Sequence, residues 1–317
     1  MPLPTRVHAV VVVRARRALA SLAVAIAACV LADRGTRGIA QGEVTDAELE
    51  ALSTRTVAIG AAAGGRIDQL PLELYVARVL AGEGEPNAPE ATQQALAIAI
   101  RTYTMFNIGR HQSEGFDLCD STHCQVPRAA HANSRRATLA TAGHILTYRG
   151  MPAEIFYSAS CGGRSEVASA VWRQADRPYL RSAKDDVHDD DVPWTLEFQL
   201  PELQELLMKS GFTGTLKNVE ISSRTKSGRA AVVKLSGMQP NRVAGTELRA
   251  AIGNTVMRST AFSVKNKDGT IRFTGHGYGH GVGMCVIGAG RRARRGESVA
   301  EILNAYYPGL RIEPLAP

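Results

Sequence analysis

A carboxyl group at Glu83 ends a stripe of apolar residues. Leu72, Val76, Val79 and Leu80 recur at helical spacing, and Glu83 follows Val76 by seven residues, on the same face. Its surroundings are then partly desolvated. Desolvation raises a carboxyl pKa, and a general acid working at neutral pH needs a raised pKa. A solvated acid at a helix end fits the spacing too, and that reading suits Glu85.

Cys119 and Cys124 have four residues between them, with His123 beside the second and His111 upstream. Two thiols and two imidazoles make a tetrahedral zinc set, and four protein ligands make such a zinc structural. A Cys119–Cys124 disulfide closing a small loop fits equally, so both readings stay open. A zinc hydrolase centred on Cys119, His123 and Cys124 is a third reading, and it needs an open coordination position.

Residues 156–165 read F-Y-S-A-S-C-G-G-R-S. Ser158 and Ser160 would leave a strand on one side, placed to bind sugar hydroxyls or to satisfy a strand-to-turn junction. Cys161 has no evident histidine–acid partner to make it a nucleophile, and pairing with Cys285 is a better use for it. Residues 275–285 read G-H-G-Y-G-H-G-V-G-M-C, with glycine at every second position. A strand has that period, so one face would be bare and the other would carry His276, Tyr278, His280, Val282 and Met284. Glycine in a strand marks a close approach of ligand or backbone. A bare face opposite two imidazoles and a phenol is suited to sit against something.

The elements that must position these groups follow from periodicity. A helix is expected over Leu72–Glu83, then a turn at residues 84–86. A second helix, capped by Asn87 with Glu90 three residues on, runs to about Ile108 and stops at Gly109. β-rich stretches follow at 145–148, 153–158, 196–200, 218–222 and 230–235. Short helices are expected at 202–210, 245–252 and 298–306, and an edge strand at 55–63. Helices first and strands later argue for an α+β fold, a helix pair packed on a β-rich single domain. The domain is expected to span 66–317, after an extension or linker at 41–65.

The chain has 317 residues and a formal charge of +7. Six arginines and one aspartate fall within residues 1–40; beyond them stand 31 basic and 29 acidic side chains, a balance of +2. No basic stripe interleaved with aromatics remains, which excludes nucleic acid as the expected partner. Arg14, Arg16 and Arg17 precede an apolar run at 18–32, too short for a comfortable membrane span. Residues 1–40 therefore read as a signal peptide or signal anchor, with cleavage after Ala40 or lipidation of Cys29. The body is expected outside the cytoplasm, in the cell envelope, touching membrane only through this segment.

Taken in order, several segments resemble the stage II sporulation protein D and amidase-enhancer domain family. They are 75–83 (Y-V-A-R-V-L-A-G-E), 97–103, 119–126, 156–166, 227–229, 245–249, 258–262, 275–288 and 302–309. The resemblance covers roughly residues 66–313. It implies a lytic transglycosylase that cuts the β-1,4 bond after N-acetylmuramic acid in denuded peptidoglycan strands and leaves a 1,6-anhydro end. The family's catalytic glutamate matches Glu83. Arg101, in the family's R-T-Y, and Gln125 and Tyr157 match positions that bind or orient substrate. With such a substrate the glycine-alternating strand is expected to wall a groove, with Tyr278 and His280 touching sugar or fixing the groove. The loop with His111, Cys119, His123 and Cys124 matches one that holds zinc in some relatives. The amidase-enhancer members imply an alternative: a non-catalytic peptidoglycan-binding module that promotes a separate cell-wall amidase. An anhydro-forming lyase needs no attacking water, so one carboxyl group suffices, unlike the two of most glycosidases. The chain departs from the family at Pro127, where tyrosine is usual. It departs again at residues 285–287, which lack the usual glutamine and tryptophan.

Overall fold

The computed structural model describes residues 43–172, 174–185 and 192–316. The expected signal segment, with Cys29, lies outside the described residues. The chain from Glu43 onward forms one unit. In order, its elements are α1 (Asp46–Leu52), β1 (Thr56–Gly60), β2 (Ile67–Pro71), α2 (Leu72–Glu83), α3 (Glu90–Asn107), β3 (Leu118–Cys119), α4 (Ala132–Ala140), β4 (His144–Tyr148), β5 (Met151–Pro152) and β6 (Tyr157–Ser158). Then come β7 (Trp194–Gln199), α5 (Leu200–Lys209), β8 (Thr213–Arg224), β9 (Ala230–Gln239), β10 (Arg242–Ala244), α6 (Gly245–Ile252), β11 (Phe262–Lys267) and β12 (Thr270–Gly275). The chain closes with β13 (Met284–Cys285), α7 (Val286–Arg294), α8 (Val299–Tyr306) and β14 (Arg311–Pro314).

This is the expected α+β class, with the strands in several small sheets. The boundary expected near Arg66 needs correction. Residues 43–65 are not a linker: Leu49 of α1 is buried against Leu74 and Ala77 of α2, and Val57 of β1 is in the core. Nor is β1 an edge strand. It lies between β2, antiparallel to it, and β3, parallel to it, because Leu118 and Cys119 supply a partner far away in sequence.

Besides the small cluster of Leu49, Leu74 and Ala77, two large hydrophobic clusters fill the unit. One gathers α2, α3 and the closing helices, with Tyr75, Val76, Leu96, Ile100 and Tyr307 fully or almost fully buried. The other lies within 194–273, where Phe198, Leu203, Val219, Leu235 and Phe273 form the core of a second lobe. Within this lobe β11, β12 and β7 form an antiparallel meander-like sheet, and β8, β9 and β10 form another.

The helix that carries Glu83 has the expected span, and neighbouring residues satisfy its first turn. Leu72 N–H donates to Arg55 O and Glu73 N–H to the Ser53 hydroxyl, taking up two of the donors that a helix start leaves unpaired. At its end Gly84 N–H donates to Leu80 O. The following helix begins at Glu90, after Pro89, so Asn87 belongs to the preceding turn and is not the cap. Proline at the junction has its φ already fixed for a helix entry.

Arg101 is a correction as well. Expected to meet substrate, it is instead fully buried, and its guanidinium forks onto the buried Glu73 carboxylate at 2.5–3.2 Å. Its remaining nitrogen, Nη1, donates to His144 O at 2.9 Å. The pair ties α2 to α3. Glu73→Ala would leave a buried guanidinium without its counter-charge, which costs about 3–5 kcal/mol. Urea unfolding should show that loss, with the slope of the transition unchanged.

Candidate active site and metal centre

Glu83 is the last residue of its helix, and the loop 124–128 lies across that end. The approach depends on Gly82: a Cβ there would sit 1.9 Å from Val126 O. With glycine in place, Val126 N–H donates to Glu83 Oε1 at 2.7 Å. Arg128 N–H, two residues on, donates to Arg78 O and fixes the loop against the helix.

Tyr157 of β6 supplies the other partner, its hydroxyl bonding to the Glu83 carboxyl. The direction of that bond follows from the network behind it. Tyr75 and Thr104 hydroxyls both donate to Gln125 Oε1, at 3.2 and 2.8 Å. The amide nitrogen of Gln125 therefore faces Tyr157 and donates to its oxygen at 2.8 Å. With that oxygen already accepting, the phenol proton points to Glu83. Gln125 is buried, so it does not meet substrate as the resemblance implied; it acts by orienting Tyr157.

Burial raises the Glu83 carboxyl from 4.5 to about 7, and the bonds from Tyr157 and Val126 only moderate that rise. Both the acid and its carboxylate are thus accessible near neutral pH. Tyr157 is itself held well above the usual phenol range, first by burial and then by the Glu83 charge, so it stays a neutral donor. Tyr157→Phe removes one of the bonds that favour the carboxylate. The Glu83 pKa should rise further, and the pH above which activity fades should rise with it, measurable in a pH–rate profile.

The glycine-rich segment is not the expected strand. β12 ends at Gly275 and β13 starts at Met284. Gly277, Gly279, Gly281 and Gly283 all have positive φ, between 72° and 109°, so the chain coils instead of extending. Its bare positions do meet backbone closely, as glycine in this pattern suggests, but the backbone is that of the 156–162 segment. A Cβ at Gly283 would lie 1.9 Å from Phe156 O, and one at Gly277 would lie 2.8 Å from Ser160 O. The coil clamps the residues flanking Tyr157.

His280 belongs to this clamp. Its Nδ1 accepts from Val282 N–H at 3.0 Å, its other nitrogen bonds the Tyr157 backbone, and its ring lies 4.9 Å from that of Trp172. Burial and the nearby Arg229 charge push it down to about 3, so it is neutral and moves no proton at ordinary pH. Tyr278 is exposed and open to a ligand. Ser158 is corrected: it is buried under Gly279 and is not placed to bind sugar. Ser160 is half-buried, and its hydroxyl accepts from Gly162 N–H in the turn.

The loop that carries Gln125 and Val126 begins at a cluster of four donors. His111, Cys119, His123 and Cys124 place their ligand atoms within 4.8 Å of one another, and both cysteines are free thiols. Cys119 and Cys124 sulfurs each lie 3.6 Å from His123 Nδ1, and Cys124 Sγ lies 3.3 Å from His111 Nε2. A tetrahedral zinc with its usual bonds to sulfur and nitrogen has S···N edges of about 3.6 Å, so the donor set fits that ion. His111 adds the usual outer partner: its Nδ1 bonds the Glu114 carboxylate at 2.5 Å, which turns Nε2 toward the cluster.

An open cleft of about 530 Å³ borders the same loop, lined in part by Ile59, Leu70, Arg78, Asp120, Pro127 and Arg128. The residues here that sequence reasoning missed are Gly82 and Val126. A main-chain donor carries no side-chain signal, and the need for glycine at 82 appears only once the loop is packed on the helix.

The family described as Stage II sporulation protein matches residues 62–148, and a domain of unknown function matches residues 189–283. An uncharacterized protein of Brachyspira hyodysenteriae is 32% identical over 252 residues, covering 78% of this chain and 67% of that protein. A stage II sporulation protein D of Bacillus amyloliquefaciens is 31% identical over 266 residues, covering 78% and 75%. An amidase enhancer of Bacillus subtilis is 30% identical over 268 residues, covering 68% of this chain and 37% of its own length.

Proposed function

Because this chain belongs to the stage II sporulation protein D family, we propose that it is an exported peptidoglycan lytic transglycosylase with Glu83 as its acid and base. The observation that carries the reading is the Glu83 carboxyl, held near pH 7 by burial and bonded to one phenol and one main-chain N–H. No other carboxyl group contributes to its shift among the described residues. One such group serves a reaction in which the sugar closes on itself.

Protonated Glu83 gives its proton to the glycosidic oxygen as the bond to the anomeric carbon breaks. The resulting carboxylate then takes the proton of the muramic acid 6-hydroxyl as that oxygen closes on the same carbon. The proton is returned and no water is consumed. Tyr157 stabilises the carboxylate between the two steps, and Val126 N–H keeps the carboxyl from turning away. The cleft beside Pro127 and Arg128 offers room for the flanking sugars. In this reading the four-donor cluster holds a structural zinc, whose role is to fix the loop that presents Gln125 and Val126.

The test is product analysis. Denuded glycan strands incubated with the purified protein should yield fragments ending in 1,6-anhydro-muramic acid, seen by mass spectrometry as a loss of water from each reducing end. Fragments with ordinary reducing ends would mean hydrolysis instead. The amidase-enhancer relative supports a second reading, a glycan-binding module that promotes an amidase. Retained glycan binding with no cleavage, together with faster release of stem peptides by an added amidase, would favour it.

A further inference from the structure

Cys161 and Cys285 form a second cluster that the proposed chemistry does not use. Both are buried free thiols, and their sulfurs and an Asp185 carboxylate oxygen lie within 4.8 Å of one another. Cys285 ends β13, which pairs in parallel with β6, and Cys161 follows that partner strand by three residues. The two meet across 124 residues of sequence, with Cys161 N–H donating to Cys285 Sγ at 3.2 Å.

The surroundings suit thiol–disulfide chemistry. Cys285 caps α7, and its sulfur accepts from Gly288 N–H at 3.3 Å as well as from Cys161 N–H. A sulfur at a helix start with main-chain donors is favoured as thiolate. Its pKa is lowered, first by the hydrogen bond from the Cys161 side chain, against the opposing effect of burial. Cys161 Sγ lies 3.6 Å from Asp185 Oδ2, which also accepts from the Tyr306 hydroxyl at 2.8 Å. The two sulfurs are thus neighbours in the folded protein, one at a helix start among main-chain donors and the other beside a carboxylate.

We propose that Cys161 and Cys285 close into a disulfide as the protein folds in an oxidising compartment, and that this bond staples the root of the second lobe. The chain leaves the first hydrophobic cluster after Leu180, builds the lobe over 194–273, and rejoins that cluster at Val282. The bond joins the two sides of that excursion next to Tyr157. Its oxidant is an external disulfide, either glutathione disulfide or a protein disulfide. The Cys285 thiolate attacks one sulfur of that disulfide and releases the other as a thiolate. Cys161 then loses its proton, and its sulfur attacks Cys285 Sγ in the mixed disulfide and releases the second thiolate. Two protein thiols are oxidised and one external disulfide is reduced to two thiols. Because both sulfurs are buried in the folded protein, the exchange comes before the final packing.

The test does not require the export reading to hold. The full chain is unfolded, refolded with zinc in a buffer of reduced and oxidised glutathione, then unfolded again with chelator and alkylating reagent but no reductant, and digested. Mass spectrometry should find a peptide pair linked through Cys161 and Cys285, with Cys119 and Cys124 alkylated. Alkylation of Cys161 and Cys285 in refolded protein that regains its wild-type melting transition overturns the proposal. A second metal equivalent lost only in the Cys161→Ser/Cys285→Ser variant also overturns it, since the cluster would then be a metal site. A phosphine reductant should lower the wild-type Tm by on the order of 10 °C, given the long loop that the bond closes. It should leave the Tm of the double variant unmoved. A linked pair with failed glycan cleavage would sink the enzyme reading alone.

Discussion

Glu83→Gln is expected to lower glycan cleavage by about 10³-fold or more, since one group carries both proton transfers. The fold should persist, because glutamine is close to the same shape and can still accept from Val126 N–H. The pH profile of the wild type adds a sharper reading. The protonated form starts the reaction, so kcat/KM should be flat below about pH 7 and fall tenfold per unit above it. Full activity in the glutamine variant would remove Glu83 from the chemistry altogether.

Stability supplies an independent check with a definite sign. The folded protein holds the Glu83 proton more tightly than the unfolded chain does, with about 7 against 4.5. Stability from this group is therefore fully present below about pH 4.5, declines as pH rises toward 7, and is flat above that. The full span is roughly 3 kcal/mol as an upper bound. Glu83→Gln abolishes that decline, so the variant should be more stable than the wild type at pH 8 and no more stable at pH 4. A gain in stability with a loss of activity marks a group kept in an unfavourable setting for its chemistry.

What the sequence makes legible is local. The helix over Leu72–Glu83 has the span that its apolar spacing suggests, and α6 at Gly245–Ile252 does too. The cysteine and histidine spacing of 111–124 marks a cluster whose atoms do come together. The glycine run shows where such reading fails. Period two is the strand signature, yet left-handed glycine at alternate positions has the same period and a coiled path. Side-chain pattern does not separate the two, because the difference lies in the sign of φ. Helix α7 was missed for a related reason. Gly288 and Gly290 depress its propensity, but its first turn packs so tightly that a Cβ at Gly288 would lie 2.2 Å from Asp185 Oδ2. Arg101 and Gln125 carry polar groups that read as ligands for a sugar. Each instead satisfies a buried partner whose position no local pattern encodes.

The four-donor cluster should prove necessary to the rate, though less so than Glu83 and without touching substrate. The loop from 119 to 128 is held at its start by two residues of β3 pairing with β1. Beyond that ladder and the bonds of Asp120 to Gly60 O and Ala62 N–H, the loop is pinned at Cys124, directly before Gln125 and Val126. Those two residues set the Tyr157 proton and the Glu83 orientation. Removing the proposed zinc by chelation, or one ligand by Cys124→Ser, should free the loop where the site depends on it. Displacement by about 1 Å is enough to cost on the order of 10²-fold in rate. Cleavage should fall by that factor and return with added zinc in the chelated wild type, but not in the variant. Losing the Val126 bond should also raise the Glu83 pKa, shifting the falling limb of the residual activity to higher pH. A merely destabilised protein would lose rate without that shift. Wild-type protein that lacks zinc by elemental analysis and carries a Cys119–Cys124 disulfide would overturn this account of the loop.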